Sequence, residues 1–247
     1  MDKLIYTTLS GANGVMQRQD TLTQNLANVN TPGYRQIAAQ ARALAVEPAG
    51  SLGTRVFAVE TTPGASFAPG AVTATGRPLD VALQGDGWLT VQGRDGREAY
   101  TRNGALALDP RGQLIGAQGL PLLGETGPLV VPPGAEVSIA NDGTVAATVA
   151  GAAGPESQVV GRLKLVNPPT AQLQRGDDGL FRTPTPAPVD RKVGLMHGAI
   201  EGSNVNSVDA LVGMINAARA FDLHMKMLQT AEANSRSAGT LLQPSAG

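Results

Sequence analysis

Apolar positions fall at alternating three- and four-residue steps at both ends of the chain and at two-residue steps between them. Over the first thirty residues, Ile5, Thr8, Ala12, Val15, Gln19, Leu22, Leu26 and Val29 keep a strict 3-4 alternation, the a/d arrangement of a coiled-coil seam. The spacing predicts a helix from Asp2 to Val29, roughly 40 Å long at ~1.5 Å per residue. Thr8 and Gln19 weaken the seam, and Gly11 and Gly14 each cost about 1 kcal/mol relative to Ala. Between Leu4 and Tyr34 the only charged side chains are Arg18 and Asp20. A polar face of uncharged amides and hydroxyls, with glycines that permit close approach, predicts a helix packed against neighbours. At the other end, Leu211, Met214, Ala218, Phe221, Met225 and Leu228 repeat the spacing, and Val208 and Ile215 widen the stripe. Asn206 is the expected cap of this second helix, with Asp209 at the N3 position.

The first helix should stop at Asn30-Thr31-Pro32-Gly33. The residue before a proline is pushed out of the helical region, and Pro32-Gly33 suits the centre of a type II turn with Gly33 at positive φ. Across residues 37–76 periodicity fades, and TTPGASFAPGAVTATG (61–76) predicts an extended connector. From Leu79 the period becomes two, with Leu79, Val81 and Leu83 alternating with Asp80 and Ala82. Turn signals then recur at hairpin intervals, among them Gly85-Asp86-Gly87, Asp95-Gly96, Asn103-Gly104 and Asp142-Gly143. Short runs such as WLTVQ, REAYTR and EVSI lie between such turns, which predicts an all-β sandwich or barrel-like domain. In the first of these runs Leu89 and Val91 form the core face. Trp88 then lies on the opposite face, to be covered by the connector, with Phe67 contributing, or by a neighbouring subunit.

The expected architecture is α+β: paired N- and C-terminal coiled-coil helices forming an inner helical domain, with a central all-β domain. The expected divisions are the N-terminal helix at 1–36, the extended connector at 37–76, the all-β outer domain at 77–195, and a C-terminal segment and helix at 196–247.

Composition narrows the function. The 247-residue chain has a net charge of −1, without the clustered basic charge that nucleic acids or anionic membranes require. It has no cysteine, no apolar run long enough to span a membrane and no secretory signal pattern over its first thirty residues. P-loop, dinucleotide-binding, nucleophile-elbow and zinc-protease patterns do not occur. His197 and His224, the two histidines, have no partners legible in the sequence. Asp-Gly pairs are ordinary hairpin turns, and Met214, Met225 and Met227 at helical spacing read as core. No catalytic residue, cofactor-binding residue or metal site is expected, and the chain is not expected to be an enzyme.

Three stretches point to a family. Asn25-Leu26-Ala27-Asn28-Val29-Asn30-Thr31-Pro32-Gly33-Tyr34 resembles the N-terminal signature of the flagellar rod, hook and hook-associated axial proteins. GRPLDVALQGDGWLTVQ (76–92) followed by YTRNGALALDPRGQLIGAQGLPLLG (100–124) resembles the central signature of the rod and hook members. This second motif includes Gly85, Asp86, Gly87, Trp88, Tyr100, Thr101, Arg102, Asn103 and Gly104. Glu201-Gly202-Ser203-Asn204-Val205-Asn206 resembles the C-terminal signature. The opening MDKLIYTTLSGA and the late run ARAFDLHMKMLQTAEANSRSAGTLL are similar to proximal-rod members. Gln24, where the family often has Asn, and Ser207 depart from the common pattern.

The resemblance implies a structural subunit of the flagellar basal body, exported by the flagellar type III apparatus without a cleaved signal peptide. Such a subunit polymerises into the drive shaft that crosses the periplasm. The implied partners are other inner proximal-rod proteins, the distal rod protein, copies of the chain itself and the export apparatus, with no cofactor. Ile5, Val15, Leu22, Leu26, Val29, Leu211, Met214, Ala218, Phe221, Met225 and Leu228 are then the expected assembly interface. A distal-rod role in the same family is the near alternative. A β-rich secreted fibre or carbohydrate-binding protein using Trp88 is the alternative from another class.

Overall fold

A computed structural model describes the backbone over residues 2–45, 56–151 and 154–241, and the side chains over 7–38, 64–149 and 156–237. The chain divides into two compact units, one of Met1–Val29, Gln36–Ser66 and Val205–Gly247, the other of Asn30–Arg35 and Phe67–Asn204.

The first unit holds two helices, α1 over Asp2–Ala27 and α2 over Ser207–Leu241. The start of α2 follows its capping chemistry: the N–H groups of Val208 and Asp209 donate to Asn206 Oδ1 at 3.0 and 3.3 Å. α1 ends two residues before the expected Val29. The Asn28 and Val29 amides donate to the Asn25 and Leu26 carbonyls, three-residue bonds that tighten the last turn ahead of Pro32. The helices pack antiparallel, because Gly11 of α1 faces His224 of α2 while Leu22 faces Gly213. A Cβ at Gly11 would stand 2.6 Å from His224 Cε1, and one at Gly213 would stand 3.1 Å from Leu22 Cδ1. Thr8 and Ala12 of α1 and Ala210, Ala217 and Ala231 of α2 are buried.

Ile37–Ala45 and Val56–Ala65 pair as antiparallel strands in the same unit, with Ile37 opposite Ala65. The sequence predicts only an extended connector there. IAAQARALA alternates alanine with larger residues and so presents little apolar contrast, while the backbone ladder needs none.

The second unit is built from antiparallel sheets. Its five-stranded sheet runs in the order Leu165–Val166, Trp88–Gln92, Glu98–Thr101, Phe181–Arg182, Gln174–Arg175. Glu136–Ile139, Thr144–Gly151 and Gly154–Arg162 form a three-stranded sheet. Gly194–His197 pairs with Val81–Gln84, and Ala199–Glu201 with Val72–Ala74. Against the expected 77–195, this unit also takes in residues 67–76 and 196–204, where Val72–Ala74 and Ala199–Glu201 pair with each other, and Asn30–Arg35.

Leu89, Val91, Leu106, Leu114, Leu122, Val145, Leu163 and Leu195 are at most 1% exposed and belong to one apolar cluster. At about 1.5–3 kcal/mol for each fully buried aliphatic side chain, this cluster is the main driving force for folding the unit. Trp88 lies outside it, against Phe67 edge-on at 6.1 Å and Phe181 at 4.7 Å between centroids. At 5% exposure it has no face open to a sugar. This burial sets aside the carbohydrate-binding alternative built on Trp88.

The helix crossing makes two glycines of α1 unequal. Among the described residues, Gly14 has no neighbour within 4 Å of a Cβ, whereas Gly11 meets the His224 ring. Gly14→Ala is expected to stabilise the helix pair by about 1 kcal/mol. Gly11→Ala is expected to destabilise it by about 1–3 kcal/mol. Thermal melts of the full chain followed by helical circular dichroism check the order of the two, and the reverse order contradicts this crossing.

Candidate functional site

Two features of the structure are candidates for function: the place where the three motif segments meet, and the outward face of α2. At the first, local backbone chemistry sets the geometry. The Tyr34 N–H donates to the Thr31 carbonyl at 3.2 Å with Gly33 at φ +67°, the type II turn expected of Pro32-Gly33. Glycine is needed at 33 for a second reason, since a Cβ would stand 2.3 Å from the Arg102 carbonyl carbon. The Gly33 N–H donates to the Glu201 carbonyl at 2.7 Å. Tyr34 is buried, with the Arg175 guanidinium 4.6 Å from its ring centroid, a contact of about 0.5–2 kcal/mol. Arg175 Nη1 also donates to the Arg35 carbonyl at 2.6 Å.

Glu201 lies at the centre. Its Oε1 accepts from Arg35 Nη2 at 2.9 Å and from the Gly70 N–H at 2.9 Å, and its Oε2 accepts from Arg102 Nε at 2.8 Å. Arg102 spends its other donors on the carbonyls of Gly85 and Gly87, at 2.8–2.9 Å, and so holds the Gly85-Asp86-Gly87 turn. Arg35 Nη1 donates to the Ala68 carbonyl at 2.6 Å. Asn204 donates through Nδ2 to the same carbonyl at 2.9 Å and through its backbone N–H to the Tyr34 carbonyl at 3.3 Å. Burial pushes the Arg35 guanidinium below its ordinary value; Glu201 opposes that shift and the like charge of Arg102 reinforces it.

The remaining motif residues do structural work nearby. Asn25, 1% exposed, donates from Nδ2 to the Ile37 carbonyl at 2.9 Å and accepts the Ile37 N–H at 2.8 Å, so its amide stands in for a strand neighbour. Asn28 Nδ2 donates to the Gln24 carbonyl at 2.9 Å, and Ala27 is exposed. The Tyr100 hydroxyl accepts the Ala187 N–H at 2.8 Å. Thr101 Oγ1 accepts the Asn103 N–H at 3.0 Å, and Asn103 Oδ1 accepts the Ala105 N–H at 3.1 Å. A Cβ at Gly104 would stand 1.7 Å from the Val81 carbonyl oxygen.

Arg35, Glu201 and Asn204 are absent from the candidate residues drawn from the sequence. The available signal was a charged residue directly after Tyr34 and another opening the C-terminal signature, in segments otherwise nearly free of charge.

The expected interface residues divide between two faces. Val15, Leu22, Leu26 and Val29 of α1 and its following turn, and Met214, Phe221 and Leu228 of α2, are half-buried. Leu211, Ala218 and Met225 are exposed. The face of α2 that is fully covered is Ala210, Ala217 and Ala231, one position away from the predicted 211/218/225 row. Ile5 lies in α1, but its side chain falls outside the described residues. On the far side of α2, Val208, Leu211, Val212 and Ile215 stand 65%, 49%, 50% and 54% exposed, at i, i+3, i+4 and i+7. That is the spacing of a helix-docking stripe, and contiguous exposed apolar residues of this kind mark interaction surfaces. Leu9 and Met16, one heptad apart on α1, are likewise exposed.

His197 Nδ1 lies 3.1 Å from Asn141 Oδ1 on the surface, and His224 Nδ1 is buried at the helix crossing. Among the described residues, no group of three or more His, Asp and Glu side chains is placed to hold a metal ion, and no helix is long and apolar enough to cross a membrane.

Comparison with known proteins places these features in sequence order. Residues 5–35 match the family described as "Flagella basal body rod protein", residues 82–147 the "Flagellar hook protein FlgE/F/G D1 domain", and residues 196–241 the "Flagellar basal body rod FlgEFG protein C-terminal". The chain is 46% identical over 253 residues to the flagellar basal-body rod protein FlgF of Escherichia coli K12, covering 99% of this chain and 100% of that one. It is 44% identical to FlgF of Salmonella typhimurium LT2, with 99% and 100% covered. Against FlgG of Buchnera aphidicola subsp. Schizaphis graminum it is 30% identical, with 92% and 95% covered.

The motif geometry predicts two unequal losses. Asn25→Ala strips both partners from the Ile37 backbone and is expected to cost about 1–3 kcal/mol, with faster hydrogen exchange at the Ile37 amide. Arg102→Lys keeps the charge but not the planar fork that reaches Gly85, Gly87 and Glu201 together. It is expected to cost about 3–5 kcal/mol, as a broken buried pair does, read as a lower melting transition of the β unit. An unchanged melt in Arg102→Lys contradicts the role given to the fork.

Proposed function

The chain belongs to the flagellar basal-body rod protein family, and from that premise we propose that it is a structural subunit of the proximal rod, polymerised with other rod subunits and with copies of itself. The rod so built crosses the periplasm as the drive shaft of the motor. The proximal position follows the FlgF relatives, 46% and 44% identical over nearly the whole chain, against 30% for FlgG. Export through the flagellar type III apparatus, without a cleaved signal peptide, completes the reading.

The observation that carries it is the two-sidedness of α2. One face meets α1 within the chain, with Gly213 against Leu22 and His224 against Gly11, and Ala210 and Ala217 are buried, while Val208, Leu211, Val212 and Ile215 are exposed. In the polymer, the α1–α2 pair acts as a coiled coil, and the outward stripe packs on helices of adjacent subunits. Ile5, Val15, Leu22, Leu26, Val29, Met214, Phe221 and Leu228 hold the pair together. Leu211, Ala218 and Met225 belong to the contact between subunits. Trp88, Tyr100, Thr101, Arg102 and Asn103 of the β-unit motif each have a packing or hydrogen-bond partner within the unit, which supports a structural role for the motif.

Ile215→Asp separates folding from assembly. As a change at an exposed position it should alter monomer stability by no more than about 0.5 kcal/mol, while a carboxylate buried without a partner in the polymer costs several kcal/mol. Cells carrying Ile215→Asp should accumulate the protein yet lack it in purified basal bodies, and should not swim. Normal incorporation of Ile215→Asp contradicts the proposed interface.

A further inference from the structure

Arg35, Arg102 and Glu201 come from three distant parts of the chain and meet where water does not reach. Their side chains are 2%, 5% and 1% exposed. The cluster holds two cations and one carboxylate, and that carboxylate bonds both guanidinium groups. Without Glu201, two like charges share a site closed to solvent, and a buried charge without its counterion is strongly unfavourable. The two arginines are not held equally. Arg102 keeps three hydrogen bonds to the Gly85 and Gly87 carbonyls. Arg35 keeps only the Ala68 carbonyl, and its buried Nε has no hydrogen-bond partner among the described residues. Arg35 is therefore the group that leaves when the carboxylate is missing.

We infer that this cluster is a latch that makes the docking of residues 30–35 conditional on the arrival of residues 199–204. Until Glu201 is in place, the charge of Arg102 opposes the entry of Arg35 and of the turn it follows. The two halves of the latch lie far apart: Glu201 stands 99 residues after Arg102, and Arg35 precedes Arg102 in turn. The segment that follows α1 thus settles only in a chain whose C-terminal segment has already folded back. The Gly33–Glu201 backbone bond and the Asn204–Tyr34 bond then close over the docked turn. The consequence is a test of completeness: a chain that ends before Glu201 leaves its N-terminal motif undocked.

Hydrogen exchange on the full-length chain reads the latch directly. Glu201→Gln keeps the size of the side chain and removes its charge. It is expected to speed exchange of the Gly33 and Gly70 amides by about a hundredfold or more while Leu89 and Val91 stay slow. Adding Arg35→Met removes the surplus buried charge. The double variant is expected to slow Gly33 exchange again by about tenfold relative to Glu201→Gln alone, a non-additive recovery. If Glu201→Gln unfolds the β unit outright, the same double variant decides, since recovery of a folded unit supports the latch and continued unfolding overturns it. Native exchange in Glu201→Gln, or a double variant no better than the single, also overturns it.

Discussion

The carboxylate of Glu201 is the constraint on which the rest of the second unit depends. It is one group with two oxygens, and between them they bind a guanidinium from the N-terminal motif, a guanidinium from the β-hairpin motif and the Gly70 amide. Arg102, held there, fixes the Gly85-Asp86-Gly87 turn, and Arg35, held there, fixes the segment leading out of the Pro32-Gly33 turn. The chain passes between its two units four times, after Val29, Arg35, Ser66 and Asn204.

A buried ion cluster of this sort does not account for stability. Desolvating three charges offsets most of what their attraction returns, and apolar replacements of similar volume often do as well. The free energy comes from Leu89, Val91, Leu106, Leu114, Leu122, Val145, Leu163 and Leu195, and from the ladders that cover them. The cluster supplies selectivity: an apolar contact tolerates a slipped segment, whereas a guanidinium fork meeting a carboxylate and named carbonyls does not. A repeating subunit needs that property, because the three motif segments must meet in the same way in every copy.

The parts of this structure that were legible in the sequence are those whose cause is local. The Pro32-Gly33 turn, the Asn206 cap, the period-two strands and the heptad spacing of α1 each arise within a few residues. The alternation along Trp88–Val91 put Trp88 opposite the core face and left the connector with Phe67 or a neighbouring subunit as its cover; the structure places Phe67 against it. The burial along α2 was legible only in part. Met214, Phe221 and Leu228 of the expected stripe are half-buried, but the fully buried positions are Ala210, Ala217 and Ala231, because small side chains hide in a hydrophobicity pattern, and Leu211, Ala218 and Met225 are exposed. The strand pair of Ile37–Ala45 and Val56–Ala65 was hidden by the same alanine-rich composition. The Arg35–Glu201–Arg102 cluster was not readable because charge pairing across a hundred residues leaves no period and no spacing.

The two-sided apolar character of α2 is what the proposed function draws on. With Ala210, Ala217 and the half-buried Met214, Phe221 and Leu228 on one side and Val208, Leu211, Val212 and Ile215 exposed on the other, α2 carries apolar residues on both faces, and the proposed assembly gives the exposed face its cover. A cryo-EM reconstruction of purified basal bodies, at a resolution that shows side chains in the rod, tests this most directly. The account predicts this chain in the proximal rod, with Val212 and Ile215 buried against a helix of an adjacent subunit and Glu201 bridging Arg35 and Arg102 in every copy. A rod in which that face of α2 points to solvent, or from which this chain is missing, contradicts it.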